Sequence, residues 1–269
     1  MKTIKVLGLL MMVGIFIACA KIPITGRRAV KLLPESQMIG MSITAYDDFL
    51  NQALVVPDSD PRAQMVKRLG SNIQAACESY LASKGQMKWI EGFVWEFNLV
   101  DDPTVNAWCM PGGKVVVYTG ILDVAQDEAG LAVVMGHEVA HAVARHGNER
   151  MSNQLAIQAG GVALAVLMSE RPAETQEMFM NAYGIGSGLG ALKFSRQHES
   201  EADHMGLIFS SMAGYDPREA PKFWERMSAG GGQQPPEFLS THPSHETRVQ
   251  DLNALMDDAL VYYNASVKH

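Results

Sequence analysis

The chain has 269 residues, of which 47% are hydrophobic and 19% charged. That apolar share excludes a disordered polar protein, and three cysteines exclude a disulfide-dense mini-scaffold. The net charge of −7 argues against nucleic acid as a partner, which calls for a basic face.

Residues 1–18 read as an export signal. Lys2 and Lys5 form a positive start, and Val6 opens an apolar run of thirteen residues ending at Ala18. The run is shorter than the roughly 20 residues of a membrane span but suits the core of a signal peptide. It stops at Ile17-Ala18-Cys19, which resembles a bacterial lipobox. That resemblance implies lipidation of Cys19 and a periplasmic protein anchored to the inner or the outer membrane. Cys77 and Cys109 remain, either as one disulfide or as two buried thiols.

Residues 19–34, with two prolines and a glycine, are expected to form an extended tether, and residues 35–269 the folded domain. Apolar residues at helical spacing predict helices over 35–54 and 62–81. Residues 93–100 alternate and are aromatic, and 114–119 read KVVVYT, so both are predicted strands. Pro111-Gly112-Gly113 separates the second from the short extended piece that starts at Asn106. Helices are expected over 127–151, 199–213, from Asp216 onward, and over 246–263. The Ala/Gly/Met-rich stretch 154–192 contains an apolar run, 160–168, too short to span a bilayer. It is read as a helical hairpin on the domain or over its cleft, with a membrane-resting or substrate-admitting surface as the alternative.

The chemistry centres on His137-Glu138-Val139-Ala140-His141. Histidines four apart share a helical face and can bind one Zn²⁺, and the glutamate beside the first can take a proton from the attacking water. Apolar residues 131–135 precede the motif, and Gly136 allows another backbone close by. Downstream, Glu199 and Asp203 also lie four apart, with Arg196 just before them. Glu199 is the candidate third ligand, and Asp203 the candidate partner for the free N–H of a zinc-bound histidine. Glu201, on the other face, is expected to be solvated, and His146 to be non-ligating.

These two motifs, together with Ala142-Val143-Ala144-Arg145-His146-Gly147, resemble the HtpX-like and prenyl-protein-protease-like zinc endopeptidases, metallopeptidase family 48 of the gluzincin type. The best match is to the soluble, lipid-anchored periplasmic members. The resemblance implies an α+β, mostly helical, zincin-like domain with a small sheet whose edge strand borders the active-site cleft. It implies Zn²⁺ on His137, His141 and Glu199, with Glu138 as base. Thr241-His242-Pro243 and Arg248 match a further element, placing His242 near the metal as an oxyanion donor or a fourth ligand. Arg248, Arg196 and Asp203 would support the site, and Asn106, Ala107, Trp108 and Val115 would bind substrate as an edge strand. The implied activity is hydrolysis of peptide bonds in misfolded or mis-assembled envelope proteins. The alternative is a zinc-containing chaperone or assembly factor with weak proteolysis.

Overall fold

The computed structural model describes residues 19–159, 172–182, 194–229, 237–242 and 247–267. The expected signal peptide, the apolar run 160–168, residues 230–236 of the glycine- and proline-rich segment 228–240, and Pro243 lie outside them.

The segment expected to be a tether is structured. β1 (Cys19–Lys21) and β2 (Arg28–Val30) pair antiparallel, and Ile22, Ala29 and Leu33 are buried. Two long helices follow, α1 (Glu35–Gln52) and α2 (Pro61–Ser83). α2 starts where Asp60 accepts the Arg62 N–H and Pro61 supplies a preset φ. A three-stranded sheet comes next: β3 (Glu96–Val100), β4 (Ala107–Met110) and β5 (Lys114–Tyr118). The order is β3-β5-β4, with β3 parallel and β4 antiparallel to the central β5. Gly112 and Gly113, at φ 82° and 81°, make the β4–β5 turn. The sheet separates two apolar clusters. Ala107, Cys109, Val115 and Val117 join the larger, while Trp108, Met110 and Val116 join the smaller, beneath α1.

After the short α3 (Gly120–Ala125) comes α4 (Glu128–Ala144), capped by Asp127, whose side chain accepts the Gly130 N–H. Every residue from Gly130 to Ala144 is buried, so α4 is the central rod of the domain. The single helix expected over 127–151 is broken. Arg145 adopts a left-handed conformation at φ 61°, and α5 (His146–Ala159) leaves in a new direction. Then follow α6 (Pro172–Ala182), α7 (Arg196–Met212), α8 (Glu219–Ala229), α9 (Glu237–Thr241), α10 (Arg248–Ala254) and α11 (Met256–Ser266). The helix expected over 246–263 is thus two, α10 and α11. Cys77 and Cys109 are free and buried. Among the described residues, no helix is long and apolar enough to cross a membrane.

The contact that positions the site is the crossing of α4 and α7. A Cβ on Gly136 would lie 2.9 Å from the Gly206 carbonyl oxygen, and one on Gly206 only 2.7 Å from the His137 nitrogen. The two backbones touch because neither residue carries a side chain. Gly206→Ala should therefore force the helices apart and destabilise the protein by about 1–3 kcal/mol. Gly40→Ala is the control, on an exposed helical position where a Cβ meets nothing within 4 Å. It should be neutral or stabilising. Thermal unfolding of both variants checks this, and equal effects would show that the crossing is not tight.

Candidate metal centre

α4 presents His137, Glu138 and His141, and α7, started by Ser195 accepting the His198 N–H, presents Glu199 and Asp203. His242 follows α9 directly, and Arg248 opens α10. All are buried. His137 Nε2 lies 3.0 Å from His141 Nε2 and 3.6 Å from Glu199 Oε2, and His141 Nε2 lies 3.3 Å from Glu199 Oε1. With His242, these residues offer four ligand atoms, all within 4.8 Å of one another.

The hydrogen bonds around the rings decide which nitrogens face inward. His137 Nδ1 donates to Asp203 Oδ1 over 2.9 Å. His141 Nδ1 lies 2.8 Å from His146 Nδ1. Thr241 donates its hydroxyl to the Phe238 carbonyl, so that hydroxyl can accept from His242 Nδ1, 2.9 Å away. Each ring thus spends Nδ1 on a partner and turns Nε2 toward the centre. Glu199 Oε1, His242 Nε2 and Glu138 Oε1 are buried with no hydrogen-bond partner. Buried polar atoms without partners are costly. Three nitrogens and a carboxylate converging this way are the donor set of Zn²⁺, so the residues fit the metal.

Without metal, the cluster holds charge in a dry site. Burial alone would lower His137, but its bonds to Asp203 and Glu199 hold it up, to about 9. Burial and the charge on His137 push His141 well down. Burial opposes ionisation of Glu199, yet His242, His137 and Arg248 hold it down, to about 2. Glu138, fully enclosed, is pushed up to about 8 by burial. Arg248 donates to Glu199 Oε2 (3.1 Å) and to Asp203 Oδ1 (2.6 Å), and its guanidinium lies 3.2 Å from the Trp224 ring centre. It therefore braces both α7 carboxylates at once.

Not every expected site residue joins this group. Arg196 is exposed in the first turn of α7, outside the buried cluster. Val115 lies on the central strand, with Phe97 on one side and Cys109 on the other, so both flanks are taken and no substrate strand can pair there. Trp108 faces away from α4, edge-on to Phe49 at 5.1 Å. β4 is at the sheet edge. The Asn106 carbonyl accepts from Tyr118 on β5, so the N–H groups of Ala107 and Cys109 point to the open side. There the Asn106 side chain takes the first and Glu138 the second. Glu201 is not solvated: it is buried and bonds His146 Nε2 at 3.0 Å and Arg27 Nε at 2.6 Å. The sequence reading missed this because the chain bends at Arg145, which turns His146 back onto His141.

Residues 69–256 match the model of peptidase family M48. The chain belongs to this family. It is 32% identical over 266 residues to human mitochondrial metalloendopeptidase OMA1, covering 94% of this chain and 49% of that protein. It is 33% identical over 244 residues to the mitochondrial metalloendopeptidase OMA1 of Schizosaccharomyces pombe, covering 89% and 67%. To the beta-barrel assembly-enhancing protease of Escherichia coli it is 30% identical over 162 residues, covering 58% and 33%. The chain thus spans from a third to two thirds of these relatives' lengths. Family M48 members are zinc metallopeptidases, and the geometry above suits that cofactor.

Arg248→Ala would remove the guanidinium shared by two buried carboxylates, so it should cost about 3–5 kcal/mol at pH 7 in chelator-treated protein. Glu199 titrates in the fold at about 2, below its usual 4.5. The stabilisation is therefore present above about pH 4.5 and is lost as the pH falls through about 2. Denaturant unfolding at pH 7 and pH 3 should show the gap between wild type and variant narrowing. Equal stability at pH 7 would remove Arg248 from the bracing role.

Proposed function

We propose that this chain is a zinc-dependent endopeptidase, with His137, His141 and Glu199 as zinc ligands and Glu138 as general base. The observation that carries it is the convergence of three imidazole Nε2 atoms and the Glu199 carboxylate beside Glu138 and the edge strand β4. A zinc ion held there supplies Lewis acidity, lowering the pKa of water toward about 7 and polarising a carbonyl. Glu138 takes the proton of the attacking water and passes it to the leaving amine. The substrate backbone adds along the edge of β4, with Asn106 and Ala107 at its start.

His242 fills the fourth corner in the resting state. Its ring stacks on Phe238 at 4.4 Å and packs against Phe194 at 4.9 Å, with Nε2 3.5 Å from Glu138 Oε1. The Phe238 N–H donates to the Val105 carbonyl, so α9 also covers the approach to β4. A catalytic zinc site needs an open position, so α9 and His242 withdraw when substrate enters.

The substrates are unfolded or mis-assembled proteins of the cell envelope, a role supported by the relatives named beta-barrel assembly-enhancing protease in Escherichia coli and Vibrio cholerae. Export rests on residues 1–18, and anchoring on lipidation of Cys19. Since β1 starts at Cys19, the acyl chains would hold the hairpin close against the bilayer.

Glu138→Gln should bind one zinc per chain and stay folded, yet lose cleavage of unfolded casein. Cleavage at the wild-type rate would overturn the mechanism. His242→Ala should raise basal cleavage of a fluorogenic peptide and weaken zinc binding, whereas a fall of about 10²-fold or more would make His242 an oxyanion donor instead. The anchor is tested separately. Labelled palmitate should enter the wild type and not Cys19→Ala, and label in both would remove the lipobox.

A further inference from the structure

The two histidines of the motif are not held in the same way. His137 reaches the Asp203 carboxylate directly. On its Nδ1 side, His141 reaches a carboxylate only through a second imidazole. His141 Nδ1 and His146 Nδ1 are 2.8 Å apart, and His146 Nε2 is 3.0 Å from Glu201 Oε2. If Nε2 of His141 binds zinc, its proton must be on Nδ1. His146 Nδ1 must then accept, His146 must carry its own proton on Nε2, and that proton goes to Glu201. One tautomer is allowed at each ring, and the carboxylate at the end selects it.

Glu201 is itself fixed from outside the catalytic helices. Arg27, in the turn between β1 and β2, donates from Nε to Glu201 Oε2 over 2.6 Å. The two terminal nitrogens of Arg27 fork onto Glu149 at 3.0 and 2.8 Å, and the Thr25 hydroxyl donates to the other oxygen of Glu201. Glu149 also lies 3.2 Å from His198 Nε2, and the His198 ring stacks on His146 at 4.4 Å. The Arg27 side chain is only 14% exposed. A planar guanidinium can serve two carboxylates in this fixed geometry, which a lysine cannot.

We propose that Arg27, on the N-terminal hairpin, is a positioning residue for zinc ligand His141, acting through Glu201 and His146, so that zinc affinity depends on the hairpin being docked. This rests on the zinc reading of the site and extends the metal centre to a segment more than 100 residues upstream of the motif.

The test measures zinc affinity by competition with a chromophoric chelator, and the visible spectrum of the cobalt-substituted protein, which reports ligand geometry. Circular dichroism of the metal-free forms monitors folding. His146→Leu should weaken zinc binding roughly 10- to 100-fold and shift the cobalt bands. His146→Gln, whose amide can accept from His141 and donate to Glu201, should restore much of both. Arg27→Ala should weaken zinc binding by about tenfold, and Arg27→Lys should fall between. Arg28→Ala, exposed on the same hairpin, should match the wild type. Wild-type affinity and an unshifted spectrum for Arg27→Ala would overturn the proposal even if its melting temperature falls, because the hairpin would then be only structural. Should His146→Leu fail to fold, Arg27→Ala and Arg27→Lys decide the matter alone. A wild type that binds no zinc would refute the metallopeptidase reading itself, while one zinc in wild type and in every variant at equal affinity would refute only this relay.

Discussion

The close approach of Gly136 to Gly206 is the constraint on which the rest of the site depends. Two helices can share a ligand set only if their axes lie near enough for a short carboxylate side chain to reach imidazoles on the other. A Cβ on either glycine would collide with backbone atoms, which cannot move aside as side chains do. One residue after Gly136 stands His137, and two turns before Gly206 stands Glu199, so the crossing fixes the distance between them. α4 can be the inner member of this pair because it is buried on every side, and a helix so enclosed has no solvent face along which to shift.

Bringing these groups together concentrates charge where water cannot reach it. Glu199, Asp203, Glu138 and Glu201 are all buried, and each would be costly alone. The cost is offset by pairing in two directions. On one side Arg248 spans Glu199 and Asp203, with Trp224 against its guanidinium. On the other, Arg27 spans Glu201 and Glu149. Both are arginines whose planar fork meets two carboxylates at once. What the pairing leaves over is the convergent set of Nε2 and carboxylate atoms without partners at the centre. A divalent cation completes it, and binding the cation must displace the proton that His137 otherwise holds.

The same enclosure bears on catalysis. His242 is buried and packed between aromatic neighbours, and Glu138 is turned toward it. This arrangement encloses the candidate metal ligands and sets His242 against Glu138. α9 carries His242 on a short helix tied to the body by the Phe238 bond to Val105 and the Phe194 bond to Thr241.

The sequence by itself picked out the candidate ligands His137, His141 and Glu199, which the fold brings together. The spacing His137 to His141, like that of Glu199 to Asp203, is a local property of the helix, and residues four apart share a face whatever surrounds them. The strands and most helices were legible for the same reason, since apolar periodicity is a local consequence of burying one face. Tertiary structure alone decided what depends on direction in space. Glu201 read as a surface residue because its face of α7 seemed free, yet the hairpin of residues 19–30 and the bend at Arg145 enclose it. That bend needs a single left-handed residue, which neither composition nor periodicity reveals when the residue is arginine. Arg196 and Val115 were placed at the site by their position in motifs, but a motif does not say which way a first-turn side chain points or which strand becomes central. Those outcomes follow from how strands order in a sheet and helices cross, and each is fixed by contacts between residues far apart in the chain.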